Sequence, residues 1–73
     1  MKIAKSYKIS RKGYRVTLRY DDGSEASIEF ENFLKAFGNY RKAVLEYMMY
    51  ITVASRNEGI AKEIRAKLAE LLL

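Results

Sequence analysis

Strict alternation of apolar and polar side chains over residues 14–20 constrains this chain more than any other feature. The series is Tyr14, Arg15, Val16, Thr17, Leu18, Arg19 and Tyr20. A period of two is typical of a β-strand with one buried and one exposed face. Gly13 precedes the series and Gly23 follows it, and glycine readily adopts the positive φ of a tight hairpin turn. We therefore predict a strand over 13–20 with a hairpin at each end.

The segments before and after this strand alternate in the same way. Residues 24–30 are apolar at every second position up to Phe30. Residues 2–10 have an apolar side that begins at Ile3 and is interrupted by Lys5, which suits an edge strand whose lysine stem can reach water. The sequence thus predicts a three-stranded antiparallel β-meander, with strands at about 2–10, 13–20 and 24–30.

A three-residue turn at 21–23 sets the register of the second hairpin. It opposes two arginine–glutamate pairs on the outer face and two apolar pairs on the inner face: Arg19–Glu25, Arg15–Glu29, Val16–Ile28 and Tyr14–Phe30. Cross-strand pairs of this kind contribute about 0.2–1 kcal/mol each, and a one-residue slip would break all of them. In the first hairpin we predict Ile9 opposite Tyr14 and Tyr7 opposite Val16.

Helical patterns occupy the rest of the chain. A short helix or turn at 31–37 ends at Gly38, and Asn39 is suited to cap a helix over about 39–55. The sequence Ser55-Arg56-Asn57-Glu58 matches a capping box, which predicts a break and a last helix over about 58–72. The predicted fold is α+β, a single domain over 1–73 with the meander packed on two C-terminal helices.

The helix predicted over 39–55 is apolar on two opposite sides. One side should be covered by the rest of the chain. The other carries Leu45, Met49 and Val53, spaced four apart, and should be covered either by the last helix or by a second copy of the protein. A chain of 73 residues without cysteine has little stability to spare and no disulfide, so oligomerisation is one remedy. We predict a homodimer. The residues expected at a dimer or partner interface are Leu45, Met49, Tyr50, Val53 and Leu72.

The sequence offers little for catalysis. It has no histidine and no cysteine, which removes the usual zinc ligands and the commonest general base. Asp21 and Asp22 are the only adjacent carboxylates; they suit a turn and lack the ligand series of a calcium loop. We expect no enzymatic activity, no metal, no cofactor and no small-molecule substrate.

Two further features bear on source and location. Glutamine, cysteine, histidine, proline and tryptophan are absent while Lys, Arg, Glu, Tyr and Ile are plentiful, the drift expected of a thermophile's protein. Residues 1–5 have no apolar signal-peptide core. The longest nearly uncharged run, over 43–54 and broken only by Glu46, is shorter than the ~20 residues that span a bilayer. We expect a cytoplasmic protein without membrane contact.

The net charge of +5 is concentrated near the start of the chain. Residues 1–20 hold seven basic residues and no acidic one. Such cations neutralise phosphates and give sequence-independent affinity for nucleic acid. The residues predicted to bind nucleic acid, DNA rather than RNA, are Lys5, Lys8, Arg11, Lys12, Arg15, Thr17 and Arg19. Because Glu25 and Glu29 oppose two of the arginines, Lys5, Lys8, Arg11 and Lys12 are the least compensated.

The run from Lys12 through Tyr20, followed by Asp22-Gly23 and then by Phe30 at the start of a helical segment, resembles the three-stranded DNA-binding domains of phage-type integrases and of a class of plant transcription factors. The resemblance covers about residues 12–37. It implies a sheet that lies in the major groove and contacts DNA through basic residues on its exposed face. Glu25 and Glu29 depart from that pattern, so no site is assigned to the third strand.

Three other interpretations compete with nucleic-acid binding. The arginine–glutamate pairs are also typical of a solvated face with no partner. The apolar stripe and the Leu71-Leu72-Leu73 end would suit an adaptor or inhibitor that binds another protein, since methionine-bearing helix faces are adaptable binding surfaces. A purely structural subunit of a larger assembly is a third possibility.

Overall fold

A computed structural model describes all residues, 1–73. The elements in chain order are β1 Ala4–Ser10, β2 Arg15–Tyr20, β3 Glu25–Ile28, α1 Phe30–Phe37, α2 Tyr40–Ser55 and α3 Glu58–Leu72. The strands form one antiparallel sheet in the order β1-β2-β3. The predicted α+β fold is confirmed, including the short helix and the two C-terminal helices. None of the helices combines the length and the apolar character that crossing a membrane requires.

The core lies between the inner face of the sheet and the helices α2 and α3. Its fully buried large side chains are Tyr47, Leu18, Ile51, Ile64, Leu68, Val16 and Val44. The Tyr47 hydroxyl lies 2.6 Å from the Tyr14 carbonyl oxygen and 2.7 Å from the Ile28 carbonyl oxygen, so these two acceptors share its single proton. Burial raises the pKa of this hydroxyl above its ordinary value. One side chain of α2 therefore holds the ends of two strands of the sheet.

The two C-terminal helices are joined by a tight, hydrogen-bonded junction. The break predicted there is confirmed, but the N-cap of α3 is Asn57, whose side chain accepts from the Ile60 amide at 3.2 Å. Ser55 is instead the last residue of α2 and is fully buried. The Asn57 side chain also donates to the Ala4 carbonyl at 2.8 Å, which fixes the junction to β1.

The register of the second hairpin agrees with the prediction along β3. Arg19 pairs with Glu25 and Val16 pairs with Ile28. The predicted Tyr14–Phe30 pair is wrong, because β2 begins only at Arg15 and Phe30 begins α1. Tyr14 has a φ of 51°, so it belongs to the turn before the strand.

The register predicted for the first hairpin is wrong by two residues. Ile9 pairs with Val16 and Tyr7 pairs with Leu18. The turn takes up four residues, 11–14, because Gly13 and Tyr14 both adopt positive φ angles of 73° and 51°. Since side chains alternate with a period of two, a two-residue shift leaves the inner and outer faces as predicted.

A β-bulge at Lys5 reverses the alternation at the start of β1. Ala4 pairs with Tyr20, whereas Ser6 already pairs with Arg19, so Lys5 is the extra residue. Ala4 is consequently fully buried and Ile3 is 41% exposed. The prediction that Ile3 faces inward is wrong for this reason.

Candidate nucleic-acid interface

The outer face of the sheet carries four of the predicted contact residues, Lys8, Arg15, Thr17 and Arg19, since Lys8 lies opposite Thr17. The three on β2 each have a partner on this face. Arg19 Nη2 lies 3.0 Å from Glu25 Oε2, and Arg15 Nε lies 3.5 Å from Glu29 Oε2. Thr17 Oγ1 is 3.2 Å from the hydroxyl of Ser27. Both arginines are therefore largely neutralised, and the middle of this face has little net charge.

The remaining cations of the first hairpin are unpaired. Lys5, Lys8, Arg11 and Lys12 are exposed, and none of them forms an ion pair, whereas Lys2 approaches Asp22 at 4.0 Å. These four residues lie on β1 and in the turn that follows it. The positive charge of the N-terminal region is thus concentrated on one edge of the sheet and on one turn.

The apolar side of α2 that faces away from the sheet is open to solvent. Leu45 is 53% exposed, Met49 61%, Tyr50 55% and Val53 74%. We call these four residues the α2 apolar face. It continues onto α1, because the rings of Tyr50 and Phe33 lie 5.6 Å apart. Exposed apolar patches of this kind are typical of surfaces that bind another molecule.

Leu72 does not belong to that face. It is only 7% exposed and lies in the core with Leu68 and Ile64, one helical turn apart on α3. Its carbonyl accepts from the Tyr40 hydroxyl at 2.7 Å. Leu72, predicted at an interface, is therefore covered by its own chain, and Leu73 is the exposed residue at this end, at 69%.

Shifted pKa values occur at structural contacts. Hydrogen bonds from Ser24 lower the pKa of Asp22, and the hydrogen bond from Arg65 lowers the pKa of Glu58. Arg65 also donates to Thr52 at 2.8 Å, which joins α3 to α2. No three histidine, cysteine, aspartate or glutamate residues are grouped so that they could hold a metal ion. The site that the geometry does offer is a set of unpaired cations suited to a polyanion.

The residues of this chain are the whole basis for a functional argument. Comparisons with protein families, with curated proteins and with solved structures give no match to it.

Proposed function

We propose that this protein is a small nucleic-acid-binding protein that acts as a homodimer and contacts phosphates through β1 and the turn after it. One observation carries the proposal: Lys5, Lys8, Arg11 and Lys12 are exposed and unpaired on one hairpin. Unpaired cations bind phosphates without first losing an internal ion pair. DNA is favoured over RNA; a cytoplasmic location and a thermophilic source remain predictions.

The test is fluorescence anisotropy with short oligonucleotides at salt concentrations from about 50 to 200 mM, the range in which counterion release changes affinity steeply. We expect Arg11→Glu/Lys12→Glu to weaken binding at least tenfold. The slope of log affinity against log salt concentration should also become shallower, because two phosphate contacts are lost and each contributes about 0.7–0.9 to the slope. Absence of wild-type binding at about 50 mM salt, where charge contacts are strongest, would overturn the proposal.

The chain contains a matched control for this variant. Arg41 and Lys42 form a second Arg-Lys pair, in the first turn of α2. Glutamate is favourable in the first turn of a helix, so Arg41→Glu/Lys42→Glu should fold. It removes the same charge from a different surface, and we expect a much smaller loss of affinity. Equal losses in both variants would mean that only net charge matters.

The α2 apolar face supports the homodimer. Phe37 and Leu73, which are 38% and 69% exposed, add to the apolar surface at this side of the molecule. A second copy presents the same apolar face, so two copies can cover each other around a two-fold axis. Dimerisation would also add the stability that a chain of this length lacks.

Light scattering separates this homodimer from the second candidate function. We expect a dimer at micromolar concentration, and a folded monomer for Met49→Asp, because a carboxylate at the centre of the face would be buried without a partner. A wild-type monomer would instead favour an adaptor or inhibitor whose target covers the α2 apolar face. A dimer that persists in Met49→Asp would place the contact elsewhere on the surface.

A further inference from the structure

A groove at the free edge of β1 collects cations from two distant parts of the sequence. It has a volume of about 540 Å³ and is lined by Tyr7, Lys8, Ile9, Arg11, Lys67, Glu70 and Leu71. Lys8 and Arg11 come from the first hairpin and Lys67 from α3. Glu70 is the single carboxylate among the lining residues. We call this the edge groove.

Lys67 is held at the edge groove by an aromatic contact. Its Nζ lies 5.2 Å from the centroid of the Tyr7 ring, a distance at which a cation is attracted to the ring face. The Tyr7 hydroxyl donates to Glu63 Oε1 at 3.1 Å, which orients the ring. The ammonium is thus placed beside β1 before any ligand arrives.

The floor of the edge groove is apolar. Tyr7, Ile9 and Leu71 are half-buried there and pack against the core. A floor of this kind suits a nucleobase, which stacks or packs on apolar and aromatic surface in single-strand binders. In a duplex the bases are already stacked and paired, so they cannot reach such a floor.

The flat outer face of the sheet is, by contrast, poorly suited to a duplex. A sheet that enters the major groove presents its exposed face to the DNA. Here the two arginines of that face are occupied by Glu25 and Glu29, at 3.0 and 3.5 Å. The unpaired charge lies at the edge instead, where a single strand can follow β1.

We propose that the edge groove binds a single strand of nucleic acid, with phosphates at Lys8, Arg11 and Lys67 and a base over Ile9 and Leu71. This inference rests on the proposed function and extends it. It adds a preference for single strands and a contact residue on α3.

Two measurements test the edge groove. The first compares a 12-nucleotide oligothymidine with a 12-base-pair duplex at equal salt. A surface that merely attracts charge binds the duplex more tightly, because the duplex has the higher charge density. We expect the single strand to bind about tenfold more tightly, since only its bases reach the floor of the groove. Tighter binding of the duplex would overturn the inference.

The second measurement compares two variants of α3, Lys67→Met and Lys62→Met. Lys62 has the same charge as Lys67 but lies outside the edge groove, so Lys62→Met is the control. We expect Lys67→Met to weaken oligothymidine binding about five- to tenfold and to reduce the salt slope by about 0.7, the value of one contact to a single strand. Lys62→Met should change affinity less than about twofold, as expected for a charge that contacts no phosphate. Lys67→Arg should retain binding.

The outcomes separate the two proposals. Equal effects at Lys62 and Lys67, in a wild-type protein that binds oligothymidine, would overturn the edge groove and leave the proposed function standing. No wild-type binding to either nucleic acid would overturn the proposed function itself. Circular dichroism and the thermal midpoint of each variant confirm that a loss of affinity is not a loss of fold.

Discussion

The two hairpins of the sheet differ in what closes their turns. The second turn is closed largely by its own residues, because the Tyr20 amide donates to the Ser24 carbonyl at 2.8 Å and Asp22 accepts from the Ser24 amide at 2.9 Å. The Asp21 amide also donates to the Ile3 carbonyl at 2.9 Å. The first turn has one long side-chain hydrogen bond, from Ser10 to the Lys12 carbonyl at 3.4 Å. The backbone carbonyl of Tyr14, the last residue of the first turn, accepts a hydrogen bond from the Tyr47 hydroxyl of α2. The shape of the first hairpin therefore depends on a distant helix.

The two hairpins also differ in whether their basic residues are paired with carboxylates. In the second hairpin, Arg19 is matched by Glu25 on β3 and Arg15 by Glu29 directly after it. In the first, the cations Lys8, Arg11 and Lys12 are unmatched. Cross-strand ion pairs stabilise a sheet only modestly, so leaving cations unmatched costs the fold little. One hairpin is thus internally satisfied, while the other keeps its charge available for a ligand.

The largest effect that tests this comparison is expected for Tyr47→Phe. The variant leaves the carbonyls of Tyr14 and Ile28 without their hydroxyl donor, and an unsatisfied buried polar group costs about 1–3 kcal/mol. We expect a loss of about that size in the free energy of unfolding in urea. Amide exchange should rise more at 11–15 than at 21–24, since only the first turn depends on Tyr47.

Tyr50→Phe is the matched control, compared with Tyr47→Phe in the monomeric Met49→Asp background, where Tyr50 stays 55% exposed on the same helix. It removes a hydroxyl that makes no hydrogen bond within the chain, so a change of less than about 0.5 kcal/mol is expected. An equal rise in amide exchange at 11–15 and at 21–24 in Tyr47→Phe would contradict the prediction. It would show that the contact with α2 stabilises the first turn no more than the second.

The contrast also explains which parts of the fold could be predicted from the sequence. The second register follows from a three-residue turn and opposed charges, both of which are local. The first register depends on the contact of Tyr47 with Tyr14, 33 residues away. Lys5 does mark the bulge in the sequence, but a lysine on an apolar side is equally typical of an edge strand.

The candidate site was predictable to a similar extent. The unpaired cations Lys5, Lys8, Arg11 and Lys12 could be identified, because the glutamates opposite the other two arginines are visible in the second hairpin. The position of Lys67 near these cations could not, since it requires α3 to lie beside β1. Leu72 was misplaced because the end of a helical stripe is uncertain by one residue, and one residue separates buried Leu72 from exposed Leu73.

The smallest expected effect is a pH dependence confined to the second turn. Hydrogen bonds from Ser24 hold the pKa of the Asp22 carboxyl below its ordinary value of 3.8. A group with a lowered pKa in the folded state stabilises that state above its ordinary pKa, and the contribution is lost as the pH falls through the lowered value. The second turn should therefore loosen below about pH 3.8. The first turn has no carboxylate over 11–14.

An NMR titration of the amide signals checks this difference. The Ser24 signal should shift with acid as its hydrogen bond to Asp22 is lost, whereas the Gly13 signal should not. In Asp22→Asn the side-chain oxygen still accepts a hydrogen bond but does not titrate, so the Ser24 shift should disappear. The part of the shift that Asp22→Asn removes reports on the Asp22 carboxyl. A Ser24 shift that survives in this variant would mean that the second turn is not closed by its own aspartate, and the distinction between a locally closed and a helix-dependent hairpin would fail.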